Sequence, residues 1–430
     1  MATVLGIDES LVRELVSTVV GVAASREGGS SASAERVTDA FARAAWTTIA
    51  EPGDGVAGTL VQALGAVRAL TAVIDRSAAA DVAALLRSSG WADDAEQPDP
   101  VGAAREPRAQ SKTLAAALER WRPRLVSADV VHALRAAGLL GVRLLLPGEP
   151  GWHAGLDDLG PHAPHALWFR GPALGRGNSV GRSVALVGAR AATAYGEHVA
   201  MEASAGLVDR GFTIVSGAAY GIDGMAHRAA LASGGTTIAF LAGGVDRPYP
   251  SGHESLIARM AETGAVVSEL PCGATPTKWR FLQRNRLIAA ASDATVVLEA
   301  GWRSGSINTA GHAATLGRPL GAVPGPVTSA ASAGCHRLIR DYAATCVTSA
   351  QEMAELAGWS TTGDEAEAMA MRSPEETRLR DALAARSPRP VPELAKRSGL
   401  STRDVEAMLG VLQLDDAVRE HETGWTITAR

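Results

Sequence analysis

Ser183-Val-Ala-Leu-Val-Gly188 opens the part of the chain whose reading decides the fold. It is a short, almost unbroken apolar run closed by a glycine, the pattern of a strand buried on both faces. A helical segment through Tyr195 to Asp209 follows, then a second run, Phe212-Thr-Ile-Val-Ser216, and a helix over Ile222 to Ala232. Further strands are expected at Thr236 to Ala242, Ala265 to Leu270, Ala294-Thr-Val-Val-Leu-Glu299 and Leu320-Gly-Ala-Val323. Between them lie helical stretches at Glu254 to Glu262, Phe281 to Ala291 and Ile307 to Leu316. Val- and Ile-rich strands alternating with helices predict an α/β fold, a Rossmann-like doubly wound parallel sheet covered on both faces. Ligands of such sheets sit at the carboxyl ends of the strands, so that edge is where chemistry is sought.

Working outward, residues 1–120 read as a helical N-terminal domain (SAM-like), with helical spacing over Val37 to Ile49, Val56 to Val67 and Asp81 to Leu86. Arg26 to Ser33 is Gly/Ser-rich and expected to be flexible, and Asp93 to Pro100 is an acidic, proline-containing loop. The Rossmann-like domain is assigned to 121–358 and a polar linker to 359–373. Residues 374–430 offer helices at Pro374 to Ala385, Val391 to Ser398 and Ser401 to Leu414. A hairpin follows around Glu422-Thr-Gly424, and together these make a winged-helix domain. Arg386, Arg389, Lys396, Arg397 and Arg403 make it modestly basic, which leaves DNA contact and a protein-interaction role both open.

With 46% hydrophobic and 20% charged residues, the composition is that of a protein with a sizeable core. The formal net charge of −5 provides no global field for nucleic acid, so any such binding needs a local patch. Cys272, Cys335 and Cys346 lie far apart, which argues against a disulfide framework or a structural zinc. His162 and His165 have no acid cluster beside them, so no metal site is expected. Asp8, Glu9 and Glu14 interrupt the first residues where a secretory leader would be basic and then apolar, and no apolar run reaches membrane-spanning length. A cytoplasmic protein without membrane contact is expected.

Four stretches converge on the strand ends. Gly188-Ala189-Arg190 lets the backbone approach an anion and adds a guanidinium fork, although Arg190 could equally be a surface ion-pair partner. Ser216-Gly217-Ala-Ala-Tyr220-Gly221-Ile222-Asp223 is a second glycine-flanked turn. Asp223 there is a cap or a functional acid, and His227 a packed residue or a base. Lys278-Trp-Arg280-Phe281-Leu-Gln-Arg284-Asn285-Arg286 is the densest signal, with four cations and an aromatic and no acid as far as Ala291. Phosphate-neutralising cations beside a ring for base stacking suit an unpaired strand. Ser304-Gly305-Ser306, after Arg303, supplies hydroxyls and free N–H groups at a helix start, an anion nest or a plain cap. A GxGxxG fingerprint, a P-loop and a GxSxG elbow are all missing, so no nucleotide cofactor, ATP hydrolysis or serine nucleophile is expected.

These residues resemble the DprA (Smf) family of DNA-processing proteins. The likeness runs from about Trp152 to Leu356. It includes Ala166-Leu-Trp-Phe-Arg-Gly171, Val187-Gly-Ala-Arg190, Tyr220-Gly-Ile-Asp-Gly-Met-Ala-His227, Phe281-Leu-Gln-Arg-Asn-Arg286, Ser304-Gly-Ser-Ile-Asn-Thr309 and Val323-Pro-Gly-Pro326. The resemblance implies a non-enzymatic protein without cofactor that binds and protects single-stranded DNA. It also implies a homodimer through the Rossmann-like domain that loads RecA for recombination, as in natural transformation. Gly188, Arg190, Ser216, Gly217, Lys278, Arg280, Phe281, Arg284, Asn285, Arg286, Ser304, Gly305 and Ser306 are the DNA contacts it implies. Ala189 stands where the family more often has serine, Tyr220 where many members have arginine, and Thr236 where many have lysine, which predicts weaker phosphate affinity. The alternatives are a nucleotide phosphoribohydrolase of the lysine-decarboxylase-like group, whose PGGxGTxxE loop is replaced here by Glu299-Ala-Gly-Trp-Arg-Ser-Gly-Ser306, and a binding module for a free nucleotide.

Overall fold

The computed structural model describes residues 3–20, 30–89, 107–174, 181–358, 373–385, 387–414 and 417–428. Met1–Trp359 and Ser360–Arg430 are two compact units.

In the first unit a ribbon of β1 (Thr3–Val4) and β2 (Ile7–Asp8) leads into α1 (Glu9–Val19), capped by the Asp8 carboxylate. Then come α2 (Ser30–Ile49), α3 (Gly55–Leu64), α4 (Ala66–Ile74), α5 (Ala79–Ser88), α6 (Pro107–Trp121) and α7 (Ser127–Leu139). The single helix expected over Val56 to Val67 is two, because Gly65 takes φ +79° and the helices on either side diverge by 115°. Ser30 to Ser33, expected to be flexible, is helical; the rest of that Gly/Ser stretch, the acidic loop and the polar linker at 360–365 lie outside the described residues. Trp46 is fully buried, meets Trp121 edge-on at 5.2 Å and donates its indole N–H to the Ala66 carbonyl. Trp168, from the sheet, donates to Thr47, so these helices and the sheet share one continuous apolar core.

The sheet comprises β3 (Arg143–Leu145), β4 (Leu167–Arg170), β5 (Ser183–Gly188), β6 (Thr213–Ser216), β7 (Thr237–Phe240), β8 (Ala265–Ser268), β9 (Ala294–Glu299), β10 (Leu320–Ala322) and β11 (Thr345–Cys346). Their order is β11-β10-β9-β5-β6-β7-β8-β4-β3. From β11 to β8 all neighbours are parallel; β4 and β3 add an antiparallel edge that the strand–helix alternation does not foretell. Strand faces alternate as the pleat requires. Val184, Leu186, Ile214, Val296 and Leu298 pack under α8 (Ala194–Asp209), α9 (Ile222–Ala232) and α14 (Ala350–Leu356). Ala185, Val187, Val215, Phe240 and Val297 face α11 (Lys278–Ala290), α12 (Ser306–Thr315) and α13 (Ala333–Asp341). α10 (Glu254–Thr263) joins the N-terminal helices over Ala239 and Val266. The chain winds from β5 through β8, then crosses back to β9 on the other side of β5. The β5–β9 pair is therefore the switch point where a crevice opens at the carboxyl ends.

The second unit has α15 (Pro374–Ala382), α16 (Val391–Ser398), α17 (Thr402–Leu414) and the hairpin β12 (Val418–His421) with β13 (Gly424–Ile427). Leu379, Leu394, Val405, Leu409 and Val418 form its core. Arg389 bonds the Ala382 carbonyl and Arg397 pairs with Glu393, while Arg386 lies outside the described residues. Lys396, Arg403 and Arg419 are the described cations of this unit without a described hydrogen-bond or ion-pair partner.

Candidate nucleic-acid interface

A cleft of about 550 Å³ opens at the switch point. Its walls are Gly188 to Ala191 from the end of β5, Phe281, Leu282, Arg284 and Asn285 of α11, and Gly301 to Ser306 between β9 and α12. All four stretches singled out in the sequence thus meet in one place, the second through Ala219 and Asp223. Gly188 must be glycine, because a Cβ there would stand 2.5 Å from Ile222 Cγ1 and 2.8 Å from the Glu299 carbonyl. Arg190 is exposed and lies over the Phe281 ring with its Cζ 5.0 Å from the centroid, a cation–π contact that orients both groups toward the opening. Arg303 and Trp302 form the opposite lip. Ser304 and Ser306 share a 2.8 Å hydroxyl contact at the start of α12, where the Ser306 N–H donates weakly to Ser304 Oγ (3.4 Å) and those of Ile307 and Asn308 to the Ser304 and Gly305 carbonyls. Asn285 is held by Asn308 Oδ1 at 3.1 Å.

Beneath the cleft sits Arg284, only 5% exposed. Its Nη1 donates to the carbonyls of Gly217 and Phe240, at the ends of β6 and β7, and its Nε to Asn285 Oδ1. Burial pulls its pKa down to about 10, opposed by Asp223 and assisted by Arg190, so it remains a cation at neutral pH. Asp223 is its buried counter-charge. The carboxylate accepts from the N–H groups of Gly217 (3.2 Å) and Ala219 (3.4 Å), and burial raises its pKa against those bonds and Arg284. Between those two N–H groups Ala218 is held at φ +55°, a conformation that costs about 1–2 kcal/mol for a residue with a Cβ. Gly221 turns at φ +74°, where a Cβ would be 2.2 Å from the Ala189 carbonyl. Asp223 and Arg284 therefore fix the two turns that shape the cleft floor. His227 is buried below, bonded at 2.7 Å to Thr237, whose own hydroxyl is buried and donates to the Ile214 carbonyl, and burial pulls the imidazole down to about 3.

Several expected contacts lie elsewhere. Arg286 is 3% exposed and turned away, with its Nη2 2.8 Å from Glu269 and its other nitrogens on the carbonyls of His162 and Gln283. Arg280 forks onto Glu51, in the loop after α2, at 3.0 and 2.9 Å. Burial raises the Glu51 carboxyl, but bonds from Arg280 and Arg124 outweigh it and hold the pKa low. Arg280 thus ties the N-terminal layer to α11, and Arg286 ties α11 to the turn after β8 and to His162. Ser216 is buried and donates to the Leu186 carbonyl inside the sheet, and Gly217 lies behind the Arg284 guanidinium. Lys278 is exposed on the first turn of α11, outside the cleft wall. Tyr220 is about half exposed, edge-on to His253 at 4.9 Å. Trp302 and Tyr249, whose ring lies 5.4 Å from Phe281, are site residues that sequence reasoning missed. The one available signal for Trp302 was its adjacency to Arg303, and Tyr249 had none.

Glu299, in the place of a hydrolase acid, is 2% exposed and accepts from the Thr193 N–H and hydroxyl, facing α8 instead of the cleft. Among the described residues no group of three or more His, Cys, Asp or Glu side chains could hold a metal ion, and no single helix is long and apolar enough to cross a membrane. All three cysteines are free, and burial pushes Cys272 and Cys335 up to about 12.

Residues 143–358 match the family described as DNA recombination-mediator protein A, and residues 364–424 match the DprA winged helix domain. Over 303 residues the chain is 46% identical to a DprA-type protein of Mycobacterium tuberculosis, covering 67% of this chain and 77% of that one. It is 34% identical to the DNA processing protein DprA of Bacillus subtilis, covering 55% of this chain and 77% of the relative. The X-ray structure of DNA processing protein A from Streptococcus pneumoniae superimposes with a TM-score of 0.54 at 26% identity, over 73% of this chain and 95% of that one.

Proposed function

Because the chain belongs to the DNA recombination-mediator protein A (DprA, or Smf) family, we propose that it binds single-stranded DNA in the switch-point cleft, shields it and passes it to RecA. The observation that carries this reading is the lining of the cleft. The exposed Arg190 and Arg303 flank a half-buried Phe281 above the buried cation Arg284, and the cleft's one carboxylate, Asp223, is turned into the floor. Exposed guanidinium groups suit phosphates, and an open ring suits an unpaired base of any identity. In a protein with a net charge of −5, recognition of a strand rests on such a local group of cations.

No catalytic step is part of the proposal, since neither Glu299 nor the Asp223–His227 pair offers a group to a reacting atom. The homodimer through the Rossmann-like unit, RecA loading and a cytoplasmic place are inferences from family membership. Sedimentation and RecA filament assembly on strands pre-coated with the protein test the first two. The ligand class is tested by competing a labelled single strand with unlabelled nucleoside monophosphates. Displacement only by unlabelled strand supports the reading. Displacement by micromolar mononucleotide, or release of free base, would put the nucleotide alternatives in its place.

A further inference from the structure

The exposed aromatic side chains among the described residues are Tyr195, Tyr220, Tyr249, Trp279, Trp302 and Tyr342. Five of these six stand on the turns, or first helical turns, that follow β5, β6, β7, β8 and β9. Parallel connectivity puts all five turns on the carboxyl edge of the sheet, and the five strands are consecutive across it in the order β9-β5-β6-β7-β8. At strand spacings of ~4.8 Å they span roughly 19 Å.

We propose that this edge is an extended stacking rim, on which Trp302, Tyr220, Tyr249 and Trp279 take successive bases of a single strand that runs across the strand ends beyond the cleft itself. The proposal rests on the single-strand reading and deepens it. Three rings are held in place yet stay open. Tyr220, 48% exposed, is edge-on to His253, and its hydroxyl accepts from the Gly252 N–H at 3.3 Å. Tyr249, 50% exposed, rests against Phe281. Trp302, 54% exposed, is stacked by Arg337 at 5.0 Å, and the same guanidinium lies 5.5 Å from the Tyr342 ring. Rings fixed by a neighbour lose little freedom when a base arrives. The charge pattern agrees: these turns carry Arg190, Arg247, Lys278 and Arg303. Of their acids, Asp223 is turned into the floor, Glu269 is buried against Arg286 and Asp246 accepts from the Gly273 N–H, which leaves Glu197 and Glu254, in the first turns of α8 and α10, exposed. At the ~3.4 Å rise of a stacked strand, 19 Å corresponds to about six nucleotides.

The test compares wild type with Trp302→Ala, Tyr249→Ala and Tyr220→Ala. The ligands are a labelled oligothymidine of roughly fifteen nucleotides and an abasic deoxyribose-phosphate strand of equal length. Each alanine variant is expected to bind the base-bearing strand about fivefold or more weakly, and the abasic strand as wild type does. Trp302→Phe and Tyr249→Phe should keep wild-type affinity, which separates a stacking ring from a fold defect. Arg190→Ala should weaken both strands alike. Alanine variants that bind the base-bearing strand as tightly as wild type would overturn the rim while leaving the cleft reading intact. Failure of wild type to bind either strand would remove both.

Discussion

Replacing Arg286 with alanine separates a structural from a phosphate-binding role for the cation that the sequence pattern placed in the site. Its guanidinium is 3% exposed and pairs at 2.8 Å with Glu269 Oε1, which also accepts weakly from the Gly53 N–H; Glu269 is 9% exposed, and its buried Oε2 makes no hydrogen bond. Removing one member of a buried pair strands the other charge, which costs about 3–5 kcal/mol. With an unfolding entropy of ~2.1 cal/mol/K per residue, a unit of this size should lose roughly 4–7 °C in Tm. Arg286→Met with Glu269→Leu, which removes both charges at similar volume, should recover most of that loss. Urea unfolding read by tryptophan fluorescence gives the stabilities, and strand titrations at several salt concentrations give the phosphate count. An Arg286→Ala protein within about 1 kcal/mol of wild type, with a shallower salt slope, would refute the assignment and return Arg286 to the DNA interface.

Three further outcomes are expected. Arg190, Lys278 and Arg303 are the exposed cations around the cleft, so log affinity should fall against log salt with a slope of about −2 (three phosphates at ~0.7 each), and Arg303→Ala should make it shallower by about 0.7. His165 and His227 are buried and neutral, pulled down by burial to about 4 and about 3. An unfolded chain takes up those protons near pH 6.5, so stability present above that pH falls as pH drops toward the folded values. The loss by pH 5 is about 2 kcal/mol for each histidine, and urea midpoints followed from pH 7 to 5, with His227→Gln flattening the trend, check it. Gly188→Ala should cost about 1–3 kcal/mol in a thermal melt and weaken strand binding, because its Cβ would meet Ile222 and the Glu299 carbonyl.

Residues 183–299 carried the fold in their period alone, and Ser183–Gly188, Ile222–Ala232 and Ala294–Glu299 stand where the pattern put them. Buried parallel strands read clearly because both faces must be apolar. The antiparallel edge was illegible: β3 is three residues and β4 four, too short for a period. In the site, Gly188, Arg190, Phe281, Arg284 and Ser304 were legible because each lies beside a strand end or a helix start. Arg280 and Arg286 misled because the test applied to them was local, asking for acids one helical turn away. Their partners, Glu51 and Glu269, come from 229 and 17 residues off in the chain, a pairing that only the packed layers create. Tyr249 reaches Phe281 from the loop after β7, and no spacing rule joins them.

Single-strand binding in the switch-point cleft is checked by fluorescence anisotropy of a labelled single strand of roughly thirty nucleotides against the same sequence as a duplex, with wild type, Arg190→Ala and Arg303→Ala. The account predicts a strong preference for the single strand, reduced in both variants and steepest at low salt. Equal or absent binding to the two forms, unmoved by either substitution, would contradict it.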